Sequence, residues 1–130
     1  MECVHKPFSA PYLDKIVLKE YLYRMALSYN DKVLRNLFLG FIRLHILYHA
    51  SKEPVFGLNL MEELARHGYR MSPGTLYPIL HQMESNGFLF SEKSVINGKM
   101  RKYYRITEEG KLALSQSYEK IKELSSELNE

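Results

Sequence analysis

The sequence predicts a mainly α-helical chain that carries one small β-hairpin. Helix-forming segments with apolar periodicity occupy most of residues 12–86 and 108–128, and a single Asn-Gly pair lies between two strand-like runs. At 130 residues the chain is large enough for one modest core. We divide it into an N-terminal arm and extension helix (1–31), a central domain (32–107) and a C-terminal helix (108–130).

Composition favours a globular protein of a reducing compartment. Hydrophobic residues make up 45% of the chain and charged residues 25%, as in ordinary globular domains. One cysteine, Cys3, allows no internal disulfide, and the first residues lack the layout of a signal peptide. The most apolar segment, 33–50, contains Arg35, Arg43 and two histidines, which are too polar for a membrane span. We therefore expect a cytoplasmic protein with no membrane partner.

Charge is unevenly distributed along the chain. Residues 108–130 contain three lysines and six glutamates, a net charge of −3, which leaves +6 on residues 1–107. A basic body with an acidic helical end favours a polyanionic partner for the body.

Three helices are predicted before the first long loop-free polar surface. Residues 1–11 form a loose arm, and 12–30 form a helix that is apolar almost all round and so packs on two sides. Asp31 can cap a core helix at 32–50, and a short amphipathic helix follows at 58–68.

The next helix, 72–86, has an unusual outer face. Ser72 stands at the N-cap position, Pro73 at the first helical position, and Gly87 fits the residue that ends the helix. A narrow inner arc holds Leu76, Ile79, Leu80 and Met83. The outer face is almost uncharged and hydrogen-bonding; it contains Gly74, Thr75, Tyr77, Pro78, His81, Gln82 and Ser85. A merely solvated face usually carries lysine and glutamate, so this one indicates a ligand.

A β-hairpin at 88–107 follows. Asn97-Gly98 predicts a two-residue type I′ turn, which opposes Val95 to Met100 and Leu89 to Ile106. The tip then carries four cations, Lys93, Lys99, Arg101 and Lys102. Their mutual repulsion needs a compensating partner.

Thr107 caps a final helix that has one apolar stripe. The stripe consists of Leu114, Tyr118, Ile121, Leu124 and Leu128, at roughly heptad spacing. A terminal helix of a small domain cannot bury such a stripe alone, so we expect a homodimer; packing back on its own domain is the alternative.

Three helices followed by a two-stranded wing is the order of a winged helix-turn-helix. In that fold the third helix enters the major groove of DNA and the wing reaches the backbone or minor groove. Ser72, Gly74 and Thr75 then suit phosphate contacts, and Tyr77, His81 and Gln82 suit bases or sugars. Phosphates would neutralise Lys99, Arg101 and Lys102 on the wing.

At these residues the sequence resembles a known family. "SPGTLYPILHQMESNGF" followed by "RKYYRITEEGK", with "FGLNLMEELARHG" upstream, resembles the PadR-type (phenolic acid decarboxylase regulator) family, short-tailed branch, over about residues 33–128. The resemblance implies a prokaryotic, homodimeric, winged-helix DNA-binding regulator, usually a repressor, that binds a pseudo-palindromic operator. It places 108–128 as the dimerisation helix.

The chain departs from that family in two respects. The helix at 12–30 is an extension whose role the resemblance does not supply. Some relatives hold a flat hydrophobic or aromatic effector at the dimer interface by aromatic stacking; this chain has no tryptophan and would need tyrosine or phenylalanine.

Other chemistry finds little support in the sequence. His45 and His49 share a helical face as two metal ligands would, but no acidic or cysteine partner stands at matching spacing, so we predict no metal and no cofactor. Ser72 and His81 are separated by about 13 Å of helical rise, too far for a nucleophile and its base. We predict no enzymatic activity. The rival functions are a winged-helix protein-interaction module without DNA, and a scaffold for a hydrophobic ligand.

Overall fold

The computed structural model describes residues 32–130, and of Lys32 the backbone only. Several sequence predictions therefore lie outside the described residues: the arm at 1–11, the helix at 12–30, the cap at Asp31 and the environment of Cys3. Within the described residues, no helix is long and apolar enough to cross a membrane.

The described residues form a mainly helical fold with one antiparallel hairpin, which confirms the predicted fold class. The elements are α1 (Lys32–Lys52), α2 (Gly57–Arg66), α3 (Pro73–Ser85), β1 (Leu89–Ile96), β2 (Lys99–Ile106) and α4 (Glu108–Leu128). α2 begins at Gly57 because Asn59 Oδ1 accepts a hydrogen bond from the Phe56 amide at 2.8 Å. α2 ends at Arg66, and Gly68 follows it in the left-handed region with φ 90°.

The core lies where α1, α2, α3 and the hairpin meet. Its fully buried side chains include Ile46, Leu64 and Tyr104. The predicted inner arc of α3 is confirmed, since Leu76, Ile79, Leu80 and Met83 are all buried. α3 remains continuous through Pro78, which is exposed.

The hairpin has the predicted register. Val95 pairs with Met100 and Leu89 with Ile106, and the turn residues Asn97 and Gly98 have φ values of 54° and 76°. Two positive φ values in a two-residue turn define type I′.

A short bridge joins the hairpin to the α1–α2 connection. Val55 N donates to Tyr104 O at 2.9 Å, and Tyr104 N donates to Val55 O at 2.7 Å. The base of the hairpin is therefore fixed on two sides, while its far end projects from the domain.

α4 is attached to the domain by its first turn. Thr107 Oγ1 accepts from Gly110 N at 3.0 Å, as predicted for a cap, and donates to Gly87 O at 2.5 Å. Gly110 is buried against the backbone of Phe88. From residue 118 onward every side chain of α4 is exposed.

Candidate nucleic-acid interface

The N-terminus of α3 presents small polar groups to solvent. Ser72 occupies the predicted N-cap position with extended backbone, but its hydroxyl makes no capping hydrogen bond. Ser72 Oγ instead lies 3.4 Å from Thr75 Oγ1. A Cβ added to Gly74 would meet only Ser72 Oγ, at an ordinary 3.7 Å. The fold itself therefore does not require glycine at this position, and a partner approaching the backbone would.

One flank of α3 faces a basic groove. Arg43 Nη2 of α1 donates to Gln82 Oε1 of α3 at 2.9 Å. Arg35, Arg43, Gly74, Thr75 and Gln82 belong to the wall of this groove, which has a volume of about 410 Å³. Sequence analysis treated both arginines only as evidence against a membrane span. The missed signal is their spacing of eight residues on one helix, which places them on the same face.

Tyr77 lies on the opposite flank and packs against α2. A Cβ added to Gly57 would overlap the hydroxyl of Tyr77 and come within 2.7 Å of Cζ. The side chain is still 40% exposed. Tyr77 is thus held in place by the fold while one edge remains accessible. His81 is exposed, and it lies on the outward side of the helix.

The hairpin cations differ in their surroundings. Arg101 Cζ lies 4.4 Å from the centroid of the Phe56 ring, and Lys102 Nζ lies 3.7 Å from Glu84 Oε1. Among the described residues, neither Lys93 nor Lys99 takes part in an ion pair. Two of the three predicted wing cations are therefore anchored near α2 and α3, whereas Lys99 stands at the tip.

The stripe on α4 is largely exposed, as the sequence predicted for a helix in want of a partner. Leu114 is half-buried against the core, whereas Tyr118, Ile121, Leu124 and Leu128 are between 44% and 61% exposed. Exposed apolar residues in one row indicate an interaction surface.

A cluster of three histidines lies beside the upper half of this stripe. His45 and His49 come from α1, and His67 follows the end of α2. One ring nitrogen of each lies within 4.8 Å of the other two. Burial lowers the pKa of His45, and the neighbouring His67 and His49 lower it further. Sequence analysis did not find His67, because no spacing rule connects it to the histidines of another helix.

This geometry has close counterparts among characterised proteins. The family model described as "Transcriptional regulator PadR-like family" matches residues 46–116. Over 87 residues the chain is 49% identical to the transcriptional regulator Rv3488 of Mycobacterium tuberculosis, covering 67% of this chain and 81% of that protein.

Solved structures give the same picture. A PadR-like transcription factor from Bacteroides fragilis superposes with a TM-score of 0.67 at 28% identity, covering 76% of this chain and 97% of that one. A PadR family regulator from Eggerthella lenta has a TM-score of 0.64 at 33% identity and covers 74% and 85%. A PadR-like regulator from Bacillus cereus has a TM-score of 0.63 at 30% identity and covers 76% and 94%.

Proposed function

Because the chain belongs to the PadR-like family of transcriptional regulators, we propose that it controls transcription by binding a specific double-stranded DNA operator, as a repressor. Residues 32–107 act as the DNA-binding domain and 108–130 as the dimerisation helix. The relatives are regulators, and we propose no catalytic activity for this chain. Its place of action is the cytoplasm, where the DNA of a prokaryote lies.

The outer face of α3 carries this proposal. It is exposed, nearly uncharged and rich in hydrogen-bonding groups, and it is bordered by Arg35 and Arg43 on one side. Base edges in the major groove offer donors and acceptors rather than charges, whereas the phosphates beside the groove are anionic. The polar face therefore suits the groove floor, and the arginines suit the backbone at its edge.

The residues divide into two roles. Ser72, Gly74 and Thr75 allow the helix N-terminus to approach a phosphate, where backbone amides and the helix dipole favour an anion. His81 and Gln82 project toward base edges, while Tyr77, held by Gly57, contributes its exposed edge. Arg43 orients the Gln82 amide through the 2.9 Å hydrogen bond.

The hairpin supplies the electrostatic part of binding. Lys99 at the tip reaches the backbone or minor groove, and Arg101 and Lys102 support it from the base. Each phosphate neutralised releases condensed counterions, so affinity falls as salt rises.

We propose that the protein acts as a homodimer through the stripe on α4. The heptad-like spacing of Leu114, Tyr118, Ile121, Leu124 and Leu128 and their exposure support a second copy as the partner. Two α3 helices then address successive major grooves about 34 Å apart, and the operator is an imperfect palindrome.

A hydrophobic or aromatic effector is the second candidate, favoured by one cavity. It has a volume of about 330 Å³, and its wall includes Phe41, Leu44, Tyr48, Leu114 and Tyr118. An apolar molecule bound there touches both the core helix and the dimerisation helix, so its occupancy bears on the spacing of the two α3 helices.

Fluorescence anisotropy tests the main proposal. The full chain is titrated into labelled duplex from its own promoter and into a scrambled duplex of equal length, each at two salt concentrations. Preference for the promoter sequence, with weaker binding to both duplexes at higher salt, is the expected result.

The outcomes separate the competing functions. A folded, dimeric protein that binds neither duplex at low salt contradicts the DNA-binding proposal and favours a protein-interaction module. Equal affinity for both duplexes contradicts sequence-specific recognition while retaining the electrostatic part.

A further inference from the structure

The three histidines beside α4 form a cluster that DNA binding does not use. The rings of His45 and His67 have centroids 4.3 Å apart, and those of His49 and His67 are 6.3 Å apart. Three imidazoles from two separate elements thus converge on one place. As charged groups they would repel one another, and the lowered pKa of His45 indicates that the neutral form is favoured there.

The spacing of the ring nitrogens is close to that of a coordination sphere. Zinc binds imidazole nitrogen at about 2.0–2.1 Å, which sets tetrahedral ligand atoms about 3.4 Å apart. The nitrogens here lie within 4.8 Å of one another, so modest ring rotations bring them to that separation. His67 is exposed at the end of α2 and has room for such a rotation.

One nitrogen in the cluster has no other partner. His49 Nε2 is buried, and within the described residues it makes no hydrogen bond. Its nearest charged neighbour, Glu63 Oε2, is 3.8 Å away, beyond hydrogen-bond range. A buried polar atom left without a partner is uncommon in a folded protein and calls for an explanation such as an ion.

We propose that His45, His49 and His67 bind a divalent first-row transition-metal ion, with Zn²⁺ as the representative. Glu63 lies close enough to supply a fourth, oxygen ligand, and water is the alternative in that position. Imidazole ligands select zinc, nickel, cobalt or copper over magnesium and calcium, which prefer oxygen.

The site sits at a junction of the fold. His45 and His49 lie on α1, His67 follows α2, and the same cavity is lined by Leu114, Tyr118 and Ile121 of α4. A bound ion therefore cross-links α1 to the end of α2 next to the proposed dimer surface. Metal binding itself does not depend on the proposed DNA binding, so each is tested separately.

The experiment measures Zn²⁺ affinity by calorimetry and competition with a chromophoric chelator. The parent is the full chain carrying Cys3→Ser and His5→Gln, which removes the two other soft donors near the N-terminus. His67→Gln is compared with His81→Gln, an exposed histidine on α3 outside the cluster. Circular dichroism verifies the fold of each variant.

We expect one tight site per chain in the parent, retained in His81→Gln and weakened at least about 100-fold in His67→Gln, since loss of even an outer-shell partner weakens metal sites 10–100-fold. Co²⁺ should give the intense visible absorption of a four-coordinate site in the parent and lose it in His67→Gln. Absence of a site in the parent, or equal affinity in the parent and His67→Gln, overturns the proposal. Equal weakening in His81→Gln overturns it as well.

Discussion

The ring of Tyr77 in α3 lies directly over the α-carbon of Gly57, the first residue of α2. A methyl group at position 57 would overlap the tyrosine hydroxyl and approach Cζ to 2.7 Å. Gly57 is buried, while Tyr77 remains 40% exposed. This contact fixes the relative position of two helices and, with it, the exposed edge that Tyr77 offers to a ligand.

Gly57→Ala should therefore destabilise the fold. Steric overlap of this kind typically lowers the free energy of unfolding by about 1–3 kcal/mol, because neighbouring groups must shift. Urea denaturation of Gly57→Ala measures the loss. In a Tyr77→Ala background the same substitution should cost under about 0.5 kcal/mol, because the overlapping ring is gone. An equal cost in both backgrounds would disprove the proposed contact.

Gly74→Ala should separate stability from DNA binding. An added methyl group meets only Ser72 Oγ at 3.7 Å, and alanine is favoured over glycine within a helix by about 0.5–1 kcal/mol. We expect an equal or higher free energy of unfolding but weaker operator binding, since the methyl group holds the helix N-terminus away from a phosphate. Parallel denaturation and anisotropy measurements decide this. Unchanged operator affinity would mean that the N-terminus of α3 does not touch DNA.

Lys99 and Lys102 should contribute unequally to the salt dependence of DNA binding. Lys99 is exposed at the hairpin turn, whereas Lys102 Nζ already lies 3.7 Å from Glu84 Oε1. Lys99→Ala should reduce the slope of log affinity against log salt by about 0.9, the value for one phosphate contact. Lys102→Ala should reduce it less.

Anisotropy titrations at several salt concentrations give these slopes. Lys111→Ala is the matched control, because this exposed lysine lies on α4 away from the hairpin and should leave the slope unchanged. A larger effect from Lys102→Ala than from Lys99→Ala would contradict the assignment of Lys99 as the tip contact.

Ile121→Glu should dissociate the proposed dimer. Ile121 stands in the middle of the exposed stripe, and a carboxylate there would be buried without a partner in a helix–helix interface. Sedimentation equilibrium should show a dimer for the wild type and a monomer for Ile121→Glu. Gln116→Glu adds the same charge to an exposed position off the stripe and should remain dimeric. Dimers in all three proteins would place the interface elsewhere.

Zinc should raise the melting temperature if the histidine cluster binds it. A ligand at 100 times its dissociation constant stabilises the folded state by about 2.7 kcal/mol, which corresponds to on the order of 10 °C for a domain of this size. Differential scanning calorimetry with and without Zn²⁺ measures the shift. His67→Gln should show a much smaller shift, and a shift of equal size would contradict the site.

Features set by neighbouring residues were predictable from the sequence. Asn97-Gly98 determined the hairpin turn and thereby the register, because a type I′ turn leaves only one pairing for the flanking strands. The inner arc of α3 followed from helical periodicity, and the cap at Thr107 from its side chain and its position. These features depend on local backbone geometry, which a short stretch of sequence encodes.

Features that join distant residues needed the tertiary structure. The bridge between Val55 and Tyr104, the Arg43–Gln82 hydrogen bond and the meeting of His67 with His45 and His49 each connect elements far apart in the chain. Their geometry depends on how the helices cross and how far each side chain reaches. The sequence by itself determined which helix and hairpin would form and which face each would bury. Packing of those elements decided that Arg43 borders the α3 surface and that three histidines share one site, because separate periodic patterns do not fix their mutual orientation.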